Sequence, residues 1–272
     1  MTTRLYTEDL LVAYGDHEIV KHVSLVIPDG KITTIIGPNG CGKSTLLKTM
    51  ARMLKAKSGA VLLDGKEISQ EPTKQIAQKL AILPQSPDAP EGLTVAELVA
   101  YGRYPYQRGF GRLQAKDREA IEWAMQVTGI AEFRHKAVDA LSGGQRQRVW
   151  IAMALAQETE IILLDEPTTY LDLSHQLEVL ELLQSLNEKE KRTIVMVIHD
   201  LNHAARFAHH MVAMKAGQIV KEGTPKEVMT PEVLRRVFHI DVEIGVDPRT
   251  RKPICLTYDL IERQQVRQDV AL

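Results

Sequence analysis

The chain has 272 residues and is close to neutral, with 34 Lys and Arg against 35 Asp and Glu and a net charge of −1. That length supports one large domain, or a domain with a subdomain, without disulfide staples. The charge balance leaves no surplus of cations to track a nucleic-acid backbone or an anionic lipid surface, so no nucleic-acid partner is expected. No run approaches the ~18–20 apolar residues of a membrane span, and Met1-Thr2-Thr3-Arg4-Leu5 lacks the apolar stretch of a signal peptide. Cys41 and Cys255, far apart in sequence, read as free thiols of a reducing compartment. The expected place is the cytosol or the cytoplasmic face of a membrane, held there by partners.

In chain order, residues 4–36 read as strands: one around Leu10-Leu11-Val12, one from Ile19 to Ile27, and one from Lys31 to Ile36, with a turn at Pro28-Asp29-Gly30. This is an antiparallel opening that feeds a buried strand. A helix follows from Lys43, then a strand at Ala60–Leu63 closed by Asp64-Gly65, and a short apolar run at Leu80–Leu83. Thr94-Val95-Ala96-Glu97 has capping-box spacing ahead of Leu98 and Val99, and a second helix is expected from about Ala115 to Gly129. The strand-free stretch of about 86–157 reads as a helical subdomain inserted into an α/β core. Alternation then returns: a strand at Ile161–Leu164, a helix with Leu173, Leu177, Leu180 and Leu183 on one face, and a strand at Ile194–Ile198. Met211–Met214 and Gln218–Val220 form an expected hairpin at Ala216-Gly217, and Thr224-Pro225-Lys226-Glu227 starts a short helix. Residues 240–260 read as a small hairpin around Asp247-Pro248, and Ile261–Leu272 as a polar tail.

Gly37-Pro38-Asn39-Gly40-Cys41-Gly42-Lys43-Ser44-Thr45 sits between an apolar strand and a helix start. Glycines let such a loop turn its backbone N–H groups toward a polyphosphate, and the helix N-terminus adds its positive dipole end. Lys43 is then the cation for the β- and γ-phosphates and the Ser44 hydroxyl a ligand to Mg²⁺. By itself this loop implies nucleoside-triphosphate binding. Ile161–Leu164 ends in Asp165-Glu166, two carboxylates at the carboxyl end of a buried strand, where ligands of open α/β sheets gather. Asp165 is expected to meet the Mg²⁺ carried by ATP. Strand alternation points Glu166 the other way, toward an attacking water. A simple helix cap is the alternative for this pair.

Leu141-Ser142-Gly143-Gly144-Gln145 resembles the signature of the ATP-binding-cassette (ABC) superfamily. Read alone, Ser142 and Gln145 make an S-x-x-Q helix cap followed by two glycines. The resemblance extends over almost the whole chain in the family's order. It implies that Tyr14 stacks on adenine, Gln85 senses Mg²⁺ and the membrane partner, Asp172 belongs to the D-loop, and His199 is the switch histidine. Singly these also fit a strand-core aromatic, a loop amide, a helix cap and a strand-end residue. The implied fold is a P-loop NTPase core: a mixed α/β sheet, with an antiparallel β part and a mainly parallel core, carrying the inserted helical subdomain. The whole of 1–272 is then a single nucleotide-binding domain with a C-terminal extension at 240–272. The resemblance further implies a homodimer in which Ser142, Gly143, Gly144 and Gln145 act in trans on ATP held by the other subunit. Lys43, Glu166 and His199 are the catalytic set, and Ser44, Gln85 and Asp165 the Mg²⁺ set.

Tyr101-Gly102-Arg103-Tyr104-Pro105-Tyr106 and Glu166-Pro167-Thr168-Thr169-Tyr170-Leu171-Asp172, followed by His175-Gln176, resemble the ATPases of iron(III)-siderophore and cobalamin importers. That branch implies membrane permease subunits, an extracytoplasmic binding protein and a peripheral position on the membrane. An ATPase for cobalamin or haem uptake, a soluble non-transport cassette, and an unrelated phosphate-loop enzyme are the other readings. The 101–106 segment is expected near the groove for a permease coupling helix. Residues 244–253 also resemble the branch's C-terminal extension, with Arg251 where glycine is more usual. His203, His209 and His210 read as a helix-end cluster rather than a metal site.

Overall fold

The computed structural model describes residues 4–107, 112–169 and 171–261. Tyr170 and the expected polar tail beyond Ile261 lie outside the described residues. The chain forms two compact units, Met1–Gly65 with Met196–Leu272, and Lys66–Val195.

The first unit opens with the antiparallel part expected from the sequence. Leu5–Tyr14 pairs antiparallel with His17–Ile27 and, on its other edge, with Ser58–Leu63. Leu5, Leu10, Val12, Val20, Val23, Leu25, Ile27 and Leu63 are buried, one face of a half-buried sheet. The register shifts after Thr7, at a bulge, and the buried Thr7 hydroxyl closes the gap there. It donates to the Val23 carbonyl at 2.9 Å and accepts from the Leu25 amide at 3.0 Å. The parallel part is Ile32–Ile36, buried at all five positions, running beside His210–Lys215 with Thr33 opposite His210 and Ile36 opposite Ala213. The hairpin on to Gln218–Gly223 turns at Ala216 and Gly217, φ 49° and 85°, the positive pair of a type I′ turn. Helices Lys43–Met50 and Leu201–Phe207 belong to this unit. So do Pro225–Val228, capped by the Thr224 and Glu227 box, and Pro231–Phe238. The expected C-terminal hairpin is Ile240–Val246 paired with Pro253–Leu260. Arg251 in its loop has φ 59°, the left-handed region where glycine costs least.

The second unit has parallel strands Leu80–Leu83 and Ile161–Asp165. Between them come helices Val95–Ala100, Ala115–Val127 and Gly143–Ala156, and the 3₁₀ turn Tyr101–Tyr106. The Thr94 capping box forms as expected, with the Glu97 amide donating to Thr94 Oγ1. Arg103 is 1% exposed, held by Asp117 at 2.9 Å, Glu158 at 2.7 Å and the Ala156 carbonyl at 2.7 Å. A buried guanidinium survives only with its charge and its donors satisfied, and both carboxylates serve that end. Its anchoring leaves Tyr101 and Tyr104 exposed on the same turn.

One expected apolar face is displaced. In helix Leu173–Glu190 the buried apolar residues are Val179, Leu180, Leu183 and Leu186, while Leu173 is 65% exposed. Leu173 is the first helical residue, in the turn before the buried stripe begins.

Candidate functional site

In the first unit, the loop after Ile36 has positive φ at Gly37 (153°), Gly40 (75°) and Gly42 (101°). A Cβ on Gly37 would overlap the Met214 carbonyl oxygen, and one on Gly42 would stand 2.8 Å from that of Ile19. Backbone of the neighbouring strands leaves room for nothing larger than glycine at these two positions. Gly217 braces the loop from outside, its amide donating to the Cys41 carbonyl at 3.0 Å and its carbonyl accepting from Lys21 at 2.8 Å. Lys43 is 5% exposed, and its Nζ donates to the carbonyls of Gly37 and Pro38 at 2.8 and 2.9 Å. Gly42 is the N-cap of helix Lys43–Met50 and provides no side-chain cap, so this N-terminus has none from the helix's own sequence. Ser44 and Thr45 lie in its first turn, and Asn39 and Gly40 form the tight bend before it. Burial raises the Cys41 thiol above its ordinary value, with the Lys43 charge working against that rise.

Tyr14 is 56% exposed at the end of its strand, opposite His17, so it is not a strand-core aromatic. His199 is exposed, between the buried Ile198 and Asp200, the N-cap of helix Leu201–Phe207. Of the three histidines near that helix's end, His209 accepts from the Ile32 amide at 3.1 Å through Nδ1. Burial lowers His210 below its ordinary value, opposed by the nearby Glu222 and Glu227. No group of three or more His, Cys, Asp or Glu suited to a metal occurs among the described residues. Neither Cys41 nor Cys255 is disulfide-bonded.

In the second unit, Ile161–Asp165 ends with Asp165 1% exposed. Alternation along the strand does not orient Glu166, as the sequence implied it would, because Glu166 lies beyond the strand at φ 54°. Its direction is set instead by two donors on Oε2: Gln85 Nε2 at 2.5 Å and Thr169 Oγ1 at 3.0 Å. Thr169 was not singled out as a site residue from the sequence. Its hydroxyl reaches Glu166 across a turn in which Glu166 has left-handed backbone.

Ser142 is the N-cap of helix Gly143–Ala156 in a complete capping box. The Gln145 amide donates to Ser142 Oγ at 3.3 Å and the Ser142 amide to Gln145 Oε1 at 3.1 Å. Around Gly143 a Cβ would meet nothing within 4 Å, whereas on Gly144 it would press the His175 ring at 3.1 Å. His175 Nδ1 in turn lies 2.7 Å from Asp172 Oδ1. Gly144, His175 and Asp172 therefore form one contiguous surface. The Gln147 side chain joins it to the turn after Glu166 by donating to the Pro167 carbonyl at 2.9 Å. Asp172 caps helix Leu173–Glu190. Its carboxyl lies at about 2, held down by the His175 amide first and then by the Ser174 hydroxyl and the His175 side chain.

Residues 20–169 match the family model described as ABC transporter. The chain is 63% identical, over 96% of its length and 97% of the relative's, to the iron(3+)-hydroxamate import ATP-binding protein FhuC of Bacillus subtilis (strain 168). It is 52% identical to the petrobactin import ATP-binding protein FpuD of Bacillus anthracis, over 100% of this chain and 98% of that one. Among solved structures it resembles a metal-chelate type ABC transporter in an inward-facing conformation, with TM-score 0.80, 26% identity, and coverage of 94% of this chain and 98% of that chain. The chain belongs to the ABC transporter family, as an ATP-binding, ATP-hydrolysing cassette of α/β P-loop fold. No described helix is long and apolar enough to cross a membrane.

Proposed function

We propose that this chain powers the import of an iron(III)-siderophore, as a homodimer bound to membrane-spanning permease subunits at the cytoplasmic face. An extracytoplasmic binding protein delivers the chelate. The observation that carries this reading is 63% identity to a hydroxamate-siderophore import ATPase along nearly the full length of both chains.

Local geometry supports a role for each residue. The uncapped start of helix Lys43–Met50 offers its first amides to phosphate, and Lys43 exchanges its bonds to Gly37 and Pro38 for the β- and γ-phosphates. Tyr14, exposed at a strand end, offers a face for adenine to stack on. The Ser44 hydroxyl and the buried Asp165 carboxylate are hard oxygen donors that suit Mg²⁺, which takes one or two protein ligands besides phosphate, and the family resemblance adds Gln85 to that set. When bound, the ion neutralises charge developing on the phosphates. Glu166, held by Gln85 and Thr169, polarises the attacking water, and His199 contacts the γ-phosphate. Ser142, Gly143 and Gly144 close over the ATP of the second copy, a role that the open space at Gly143 supports. Residues 86–157 act as the inserted helical subdomain, and the 101–106 turn displays Tyr101 and Tyr104 to the permease.

The test is uptake of a panel of labelled iron(III) chelates, haem and cobalamin into cells lacking this gene, complemented with the wild type or Glu166→Gln. Loss of one iron chelate, restored by the wild type and not by Glu166→Gln, is the expected result. Loss confined to cobalamin or haem moves the chain to another substrate. No loss, even with related ATPases deleted, removes the import reading.

A further inference from the structure

Helix Leu201–Phe207 has seven residues and follows His199 directly, with Asp200 as its N-cap accepting from the His203 amide at 2.7 Å. So short a helix has little stability of its own, and its placement depends on what it packs against. On one side Ala204, Ala205 and Phe207 are buried, and Thr34 Oγ1 donates to the Ala204 carbonyl at 3.2 Å. Apolar burial is non-directional, so it fixes proximity better than rotation or axial position.

Besides that bond from Thr34, directional contacts come from the C-terminal hairpin and fall on both ends of the helix. In the first turn, Asn202 makes a reciprocal pair with the backbone of Cys255. Its Nδ2 donates to the Cys255 carbonyl at 3.2 Å, and its Oδ1 accepts from the Cys255 amide at 2.8 Å. At the last turn, Lys252 Nζ donates to the carbonyls of Arg206 at 2.8 Å and Ala208 at 2.6 Å, groups a helix end otherwise leaves unsatisfied. Lys252 is itself fixed by the loop that carries it. The Asp247 amide donates to the Lys252 carbonyl at 2.9 Å, and the Asp247 carboxylate accepts from the Arg249 amide and the Thr250 hydroxyl. On the other side of His199, the Ile198 amide donates to the Ile35 carbonyl at 3.3 Å. His199 thus lies between a strand end pinned to the sheet and a helix gripped at both ends by the hairpin.

We propose that the C-terminal hairpin sets the position of His199, with Asn202 and Lys252 as positioning residues for ATP hydrolysis. This rests on the reading of His199 given above. Neither residue touches nucleotide in this scheme. Their loss lets the helix rotate or slide, which misplaces His199 and slows the chemical step while leaving ATP binding intact.

The full-length protein is assayed for kcat, KM for ATP and equilibrium ATP binding, alone and in the His199→Ala background. Asn202→Ala and Lys252→Met are each expected to lower kcat about five- to ten-fold with ATP affinity within about two-fold, and Lys252→Arg to retain kcat near wild type. Added to His199→Ala, either substitution should lower the residual turnover by less than about two-fold, because groups acting through one residue are not additive. Should Asn202→Ala fail to fold, Lys252→Met, which keeps its aliphatic stem, carries the test. Equal losses in both backgrounds, weakened ATP binding in parallel, or unchanged kcat in both variants would overturn the proposal and leave the His199 reading standing. Wild-type turnover in His199→Ala itself would remove that reading, and this one with it.

Discussion

Helix Lys43–Met50 and helix Gly143–Ala156 both start from glycine-rich segments, yet their N-termini are prepared in opposite ways. Ahead of Lys43 the glycines are imposed from within: positive φ at Gly37 and Gly42, and neighbouring backbone where a Cβ would go. The helix then begins with no side-chain cap. At Ser142 the N-terminus is already satisfied by its own capping box, and Gly143 has neither positive φ nor a neighbour within 4 Å of a Cβ. Under the proposed function, the first loop serves a ligand of its own subunit. The second is a finished surface with open space at its glycine, which the proposed function gives to the ATP of the second copy. The fold itself requires glycine at 37 and 42, where a methyl group would meet backbone, and does not require it at 143, where a methyl group would meet nothing.

Adding that methyl group is the sharpest way to break the comparison. Gly37→Ala should destabilise the chain by about 2–4 kcal/mol, since the backbone is strained for alanine and Met214 must move, and nucleotide binding should fall with it. Thermal melts with and without ATP check this; a melt like the wild type's would show that the loop relaxes at no cost. Gly143→Ala should do the reverse. Stability holds or rises by up to about 0.5 kcal/mol from better helix propensity, while turnover falls at least about ten-fold with ATP affinity for the single subunit unchanged. Unchanged turnover would mean that nothing closes over Gly143. Ser142→Ala removes the cap and should cost about 1 kcal/mol of stability, with helix Gly143–Ala156 fraying from its start in amide exchange. A loss near zero there would show that water satisfies those amides as well as Ser142 does.

The parts legible in the sequence are those that chemistry writes locally. The strand, glycine loop and lysine at 32–43, the S-x-x-Q cap at 142–145, the Thr94 and Thr224 boxes and the Ala216-Gly217 hairpin each need only a few adjacent residues, and each stands where expected. What was hidden depends on backbone conformation or on distant chain. Alternation does not orient Glu166, because the strand stops one residue earlier, and Thr169, three residues on, is one of its donors. Leu173 matched the apolar spacing of its helix but occupies the exposed first turn. Gly217 under the phosphate loop, His175 against Gly144, and the grip of Asn202 on Cys255 join residues whose separation carries no periodicity.

A third helix start refines the contrast by pH. Asp172 caps helix Leu173–Glu190 with a carboxylate, so its cap can be titrated whereas that of Ser142 cannot. The bonds from the His175 amide, the Ser174 hydroxyl and the His175 side chain place its folded pKa at about 2, below the ordinary value of 3.8. A depressed carboxyl stabilises the fold above its unfolded pKa, and that contribution fades as pH falls through the folded one. The cap should therefore be complete at pH 5, weaken between about 4 and 2, and be lost below that, whereas Asp172→Asn should cap the helix with no pH dependence in this window. Carbon-detected titration of the Asp172 carboxyl reads it directly. A midpoint near 2 places the cap in the folded chain as described. One near 4 would mean that Asp172 is not held by its own helix and is left to bond elsewhere, which would make this start resemble the uncapped one at Lys43 rather than the finished one at Ser142.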